Sequence, residues 1–258
     1  MQTSTQETFI KKIPSPIEAF KILLRADFTV QLRQRRSLLM SLITPIIFLL
    51  AWKSLIPEIG AASVLSICVA IGLPGTGLMG YSNTLANDRE RGIFQRLRAS
   101  PIPTWVIMLS RIIVQLSVLI LMALVTCGVA YFADGITFGF GNLLLILVAS
   151  AIGGLAFLAL GQAIVALMRS SDAINATTRL LYMVIAVVGG LGQTGLFGAV
   201  LQKIVTYSPL GTSKTMIVAA MNPASIFTWP VMFAVVITLA YGLFFAIIGI
   251  RFFKWTVN

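Results

Sequence analysis

Between two long apolar runs lies one dense mixed-charge stretch, Asp88-Arg89-Glu90-Arg91-Gly92-Ile93-Phe94-Gln95-Arg96-Leu97-Arg98-Ala99-Ser100-Pro101. Carboxylates and guanidiniums beside Phe94 and Leu97 suit charge-assisted contacts to another protein surface, with apolar side chains to seat them. Gly92 permits a tight turn. The stretch must lie in water, and its Arg excess puts it on the cytoplasmic side of a membrane.

Other chemistry lacks its parts. The chain has no His, the usual proton shuttle and metal ligand. Cys68 and Cys127 sit inside apolar runs and read as small core residues. All eight carboxylates lie outside the apolar runs, so ion- or proton-coupled transport has no mid-membrane carboxylate to titrate. No phosphate-binding loop of the G-x-x-x-x-G-K-[ST] kind occurs, since Gly211-Thr-Ser-Lys214-Thr lacks its spacing. Gly190-Leu-Gly192-Gln-Thr-Gly195 matches a dinucleotide fingerprint, but no strand precedes it, and close helix approach explains it better. The expectation is no catalytic residue, no metal site and no cofactor on this chain.

The positioning elements follow from composition. The chain has 258 residues, 58% hydrophobic and 10% charged, far from the ~25% charged of soluble domains. The reading is a single all-α polytopic membrane domain over 1–258. Six spans are predicted at 38–57, 61–82, 104–132, 140–168, 180–201 and 229–250, each long enough for a hydrocarbon core that takes about 20 residues. The charged loop covers 88–101. Residues 202–228, with two Lys and two Pro, read as an outer segment that re-enters the membrane. Residues 1–37 hold a polar tail and an amphipathic helix, with Ile17, Phe20, Leu24, Phe28 and Leu32 at helical spacing, which fits a helix lying in the interface.

Charge fixes the orientation. Of 19 Lys and Arg, seven fall in 1–37, five in 88–111, two at Arg169 and Arg179, and two at Arg251 and Lys254. The other side holds Lys53, Lys203 and Lys214. The positive-inside rule puts both termini in the cytoplasm, which an even number of spans satisfies. The net charge of +11 is thus an anchoring and orienting charge at membrane lipids; no basic stripe with interleaved aromatics points to nucleic acid.

The order of these features resembles the type 2 ATP-binding-cassette export permeases, the group that includes daunorubicin-resistance and nodulation-factor export proteins. The carrying residues are Asn87 to Pro101, an acidic-basic-Gly turn followed by a helix and Ser-Pro, with Gln95 where an acidic residue is common. Tyr207-Ser-Pro209-Leu210 and the basic ending after Trp229 add to it. The resemblance implies a coupling loop, carried by Asp88, Glu90, Arg91, Gly92, Phe94, Arg96, Leu97 and Arg98, that docks on a separate ABC ATPase subunit dimer, where ATP and Mg bind. It also implies a second permease subunit, identical or paralogous, and a prokaryotic cell membrane. The cargo path would run between subunits along the first, second and fifth spans, with Thr44, Thr76, Asn83, Gln193 and Thr194 as candidate polar residues. Gln115 and Gln162 read rather as interhelical hydrogen-bonders. An apolar, uncharged interior suits an amphipathic drug, a lipid or a lipid-linked glycan. A non-transporting scaffold and a passive channel are the alternatives.

Overall fold

The computed structural model describes residues 15–98, 102–195 and 197–252, with the backbone alone at Arg36, Ser37, Phe94, Leu97, Arg98, Thr104 and Pro223. Helices dominate, and there is no strand among the described residues. Among the described residues five helices are long and apolar enough to cross a membrane, and a bent pair supplies a sixth candidate.

Helix α1, Pro16–Arg33, starts at a capping box. The Glu18 N–H donates to Ser15 Oγ at 3.3 Å and the Ser15 N–H donates to Glu18 Oε2 at 2.9 Å, so two orphan donors of the first turn are satisfied reciprocally. The chain bends 61° into α2, Arg35–Ala51. Ala19 and Gln31 are buried, whereas Ile17, Ile22, Val30 and Leu32 stay exposed. An apolar, exposed side on a helix bent away from the span is the form of an interfacial helix.

Helix α3 runs from Ala61 to Glu90, eight residues past the end that hydropathy gives it. Asp88 and Glu90 therefore end a helix rather than begin a loop. Its middle, Gly75–Gly80, is π-helical. The turn at Arg91 and Gly92 leads to α4, Ile93–Arg98. Gly92 has φ +66°, a left-handed conformation costly for any residue with a Cβ. Two long helices follow, α5, Thr104–Asp134, and α6, Phe140–Leu167. At the far end Lys53 Nζ reaches Asp134 Oδ1 at 3.0 Å and the Ala133 carbonyl at 2.8 Å, which ties the first outer connection to the second.

Helix α7, Ser171–Gly192, lies nine residues nearer the N-terminus than the predicted 180–201. Its last third is π-helical, Ile185–Gly189. The glycine-rich stretch beyond it continues the apolar run but not the helix, because Gly195 and Gly198 take positive φ. Two shorter helices, α8, Ala199–Thr206, and α9, Pro209–Met221, then lead to α10, Trp229–Phe252.

The 202–228 segment is not a surface loop. One side of α9 is buried, including Leu210, Thr212, Ser213, Met216 and Ile217. Thr238 Oγ1 donates to Thr212 Oγ1 at 2.8 Å, and Asn142 Nδ2 donates to the Met221 carbonyl at 2.7 Å. Thus α9 starts near the mid-length of α10 and ends at the N-terminal end of α6, the geometry of a re-entrant helix. A Cβ on Gly211 would overlap the Val205 carbonyl and Gln193 Nε2, so the α8–α9 corner closes only around glycine. This placement also amends the reading of an uncharged interior. Lys214 follows Ser213, which stands against Gly153, about 20 Å along α6 from its outer end.

Gly211→Ala is expected to destabilise the protein by about 1–3 kcal/mol through overpacking. Thermal unfolding in lipid nanodiscs checks this, with Gly128→Ala, which meets nothing within 4 Å, as the control.

Candidate functional site

Two sites lie at the end of the bundle that gathers most of the arginines. The first is the turn between α3 and α4. Arg89 is 3% exposed. Its Nη1 donates to the Val165 carbonyl at 2.9 Å, and its Nη2 donates to the carbonyls of Met168 at 2.9 Å and Arg169 at 2.8 Å. These acceptors are at and just beyond the last turn of α6, where carbonyls lack intrahelical partners and the helix dipole is negative. Arg89 therefore pins the end of α3 to the end of α6. Beside it Asp88 pairs with Arg111 of α5. Ser110 of α5 donates to Asp27 of α1. Consecutive residues of α3 thus root the turn in α6 and α5, and α5 holds α1.

Beyond those anchors the turn is open. Glu90, Arg91, Gln95 and Arg96 are exposed, and Asp88 and Gly92 are half-buried. The structure brings Glu90, Arg91, Gly92 and Arg96 to one short, water-facing corner. The side chains of Phe94, Leu97 and Arg98, and residues 99–101 of the predicted loop, lie outside the described residues. Sequence reasoning missed Arg89, because it sits among five similar residues and its acceptors are 76–80 positions away.

The second site is a cavity of 440 Å³ enclosed by α1, α2, α3, α5 and α7. Thr44, Thr76 and Asn83 all line it, as do Gln31, Gln34, Gln115 and Tyr182. Its floor is the π-helical part of α3. There Gln115 Nε2 donates to the Thr76 carbonyl at 2.9 Å, satisfying an acceptor in a segment of altered helix pairing. Gln115 is thus both the expected interhelical bond and a wall of the cavity. Gln162 also bonds between helices, accepting from the Tyr81 hydroxyl at 3.4 Å. A larger groove of 990 Å³ between α5, α6 and α10 is walled by apolar residues apart from Gln162 and Thr238, and gathers no polar cluster.

Gln193 and Thr194 lie elsewhere. Gln193 is buried at the α8–α9 corner, and Thr194 Oγ1 donates to the Leu191 carbonyl at 2.6 Å. The five candidate path residues therefore divide into three around the cavity and two beneath the re-entrant helix.

A family model for the ABC-2 type transporter matches residues 18–213, from α1 through the start of α9. The chain belongs to the ABC-2 type transporter family. No curated protein matches it. Membership makes this multi-pass membrane protein the permease component of an ABC-type transporter, and the family implies a complex with an ATPase partner. Within that permease, the turn and the cavity are where the predicted coupling and path residues gather most closely among the described residues.

Burial pushes the Asp27 carboxyl above the ordinary aspartate range, with Ser110 and Arg111 opposing the shift and Asp88 adding to it. The folded protein then holds this proton more tightly than the unfolded chain does. The protonated form's stabilisation is complete at acid pH and is lost as pH rises through the folded titration. Asp27→Asn, which keeps an acceptor for Ser110, should therefore melt at or above wild type at pH 7, and the difference should close below about pH 4. A melting temperature that falls at pH 7 and recovers in acid would contradict this.

Proposed function

We propose that this chain is the permease of an ATP-driven exporter whose α3–α4 turn docks on a separate ABC ATPase subunit at the cytoplasmic face. Two such chains, identical or paralogous, together with two ATPase subunits, would form the working complex in the cell membrane. Its cargo would be amphipathic: a drug, a lipid or a lipid-linked glycan. Both termini would be cytoplasmic, as the clustering of basic residues requires.

One observation carries this proposal. The turn combines a buried, hydrogen-bonded root with an exposed charged tip. An element that transmits force between subunits needs both. A loosely attached loop would yield when the ATPase closed, and an uncharged tip would have little with which to hold a partner. Because Arg89 and Asp88 are adjacent, displacement of the turn would act on α6 and, through Arg111, on α5. The α5 end in turn holds α1 through Ser110 and Asp27.

The root and tip should separate in mutants. Glu90→Ala and Arg96→Ala, exposed residues, should leave thermal stability unchanged while weakening co-purification of the cognate ATPase and transport-linked ATP hydrolysis. Arg89→Met removes three bonds from a buried helix end and should lower stability by about 1–3 kcal/mol for each carbonyl left unsatisfied. If the wild-type chain captures no ATPase, the exporter reading fails and a scaffold takes its place. Cargo flux without ATP would point to a passive channel.

A further inference from the structure

The cavity beneath α1 has a chemical character narrower than the cargo classes above. In a chain of net charge +11, none of the described residues lining it is charged. Its polarity comes from amides, hydroxyls and one phenol. Three polar atoms of lining residues, Thr76 Oγ1, Asn83 Oδ1 and Tyr182 OH, are buried without a hydrogen-bond partner. Thr76 is only 1% exposed. Unpartnered buried polar atoms are uncommon and destabilising, and three around one cavity call for a cause. A ligand that supplies the missing bonds is such a cause.

The wall has a bias. The hydroxyls of Ser41, Thr44 and Thr84 donate to carbonyls of their own helices at 2.8, 2.8 and 3.0 Å. Gln115 commits its Nε2 to the Thr76 carbonyl. What the three hydroxyls have left are acceptor lone pairs, joined by the unused Asn83 Oδ1, while Gln115 keeps a second Nε2 hydrogen and the Thr76 and Tyr182 hydroxyls can donate as well as accept. Hydroxyl or amide donors match that wall. A phosphate or carboxylate would be desolvated without a cation, and an ammonium without an anion, at high cost. The cavity also has an apolar edge, since Met40 lines it and is 56% exposed on α2.

We propose that this cavity binds the uncharged, hydroxyl- or amide-bearing headgroup of an amphiphile whose tail runs past Met40 into lipid. The inference rests on the permease reading, and it narrows the cargo to neutral-headed molecules at this site.

The test uses the full chain in nanodiscs and a monoglucosyl diacylglycerol with a photoreactive diazirine on its sugar. Cross-links should map to residues 31–44, 76–84 or Tyr182. Thr76→Val and Tyr182→Phe should each cut labelling about fivefold, the effect of one neutral hydrogen bond of roughly 1 kcal/mol. Both should melt at or above wild type, because each removes an unpartnered hydroxyl; they lie on different helices, so one serves if the other misfolds. Phosphatidylglycerol and an alkyl trimethylammonium bearing the same diazirine should label these peptides far less. Equal labelling by either charged probe, labelling indifferent to both substitutions, or no labelling in the cavity overturns the proposal. The ATPase is absent from this assay. Labelling with no ATPase capture would sink the exporter reading alone, and ATPase capture with no cavity labelling would sink this one alone.

Discussion

The guanidinium of Arg89 is the contact on which the basic end of the structure depends. A helix that ends inside a bundle leaves carbonyls that water does not easily reach, and each must find a donor. At the end of α6 one side chain supplies donors to three of them. The planar fork of arginine suits this, since a lysine presents a single ammonium point rather than a rigid array. Once that contact forms, α3 must continue as helix to Glu90, because Arg89 has to arrive at the end of α6 from a fixed direction. The turn then falls at Arg91 and Gly92, and the charged corner is presented to water by construction.

A second consequence follows along α3. A helix pinned at one end and threaded between α5, α6 and α9 has little freedom to tilt, so change must be absorbed within it. The π-helical Gly75–Gly80 provides for that. A Cβ at Gly77 would press on the Gly154 carbonyl and Leu158 N–H of α6, at 3.3 Å each. On another side of α3 the same segment opens to the polar cavity. Close packing and an irregular, hydrogen-bond-hungry stretch thus occur together in one run of residues.

How much was legible in the chain varies with the range of the signal. The apolar runs and the placement of Lys and Arg are local, and they yield the all-helical membrane class, the number of candidate spans and the interfacial helix. The end of α7 was misplaced because hydropathy counts Gly190–Gly198 as greasy while backbone geometry breaks the helix there. Arg89 and Gln115 owe their roles to acceptors 76–80 and 39 residues away, and no periodicity reports such pairs. Lys214 was counted on the outer side, in a segment read as re-entering the membrane, and the packing of α9 against α6 and α10 gives the depth that the sequence could not. Thr44, Thr76 and Asn83 were chosen as scattered polar residues on the first two spans, and tertiary packing places all three around one cavity.

The two polar regions differ in a way that bears on direction. The described lining of the cavity near the basic end is uncharged, whereas the re-entrant helix, midway along α6, carries Lys214, half-buried and without a hydrogen-bond or ion-pair partner among the described residues. An ionisable side chain at such depth is expensive and faces a partner or water. A neutral headgroup held in the cavity would meet no charge until it rose past the π-helical part of α3. Beyond that it would approach a cation that neither attracts nor traps it strongly. On the proposed exporter reading, a site that binds by several neutral hydrogen bonds, followed by a region that offers few, would favour departure toward the opposite end once the helices shift. No carboxylate lies within the apolar part of any described span to titrate with that movement. On that reading the drive would come from outside the bundle, and the rooted turn at Arg89 is where a force could enter.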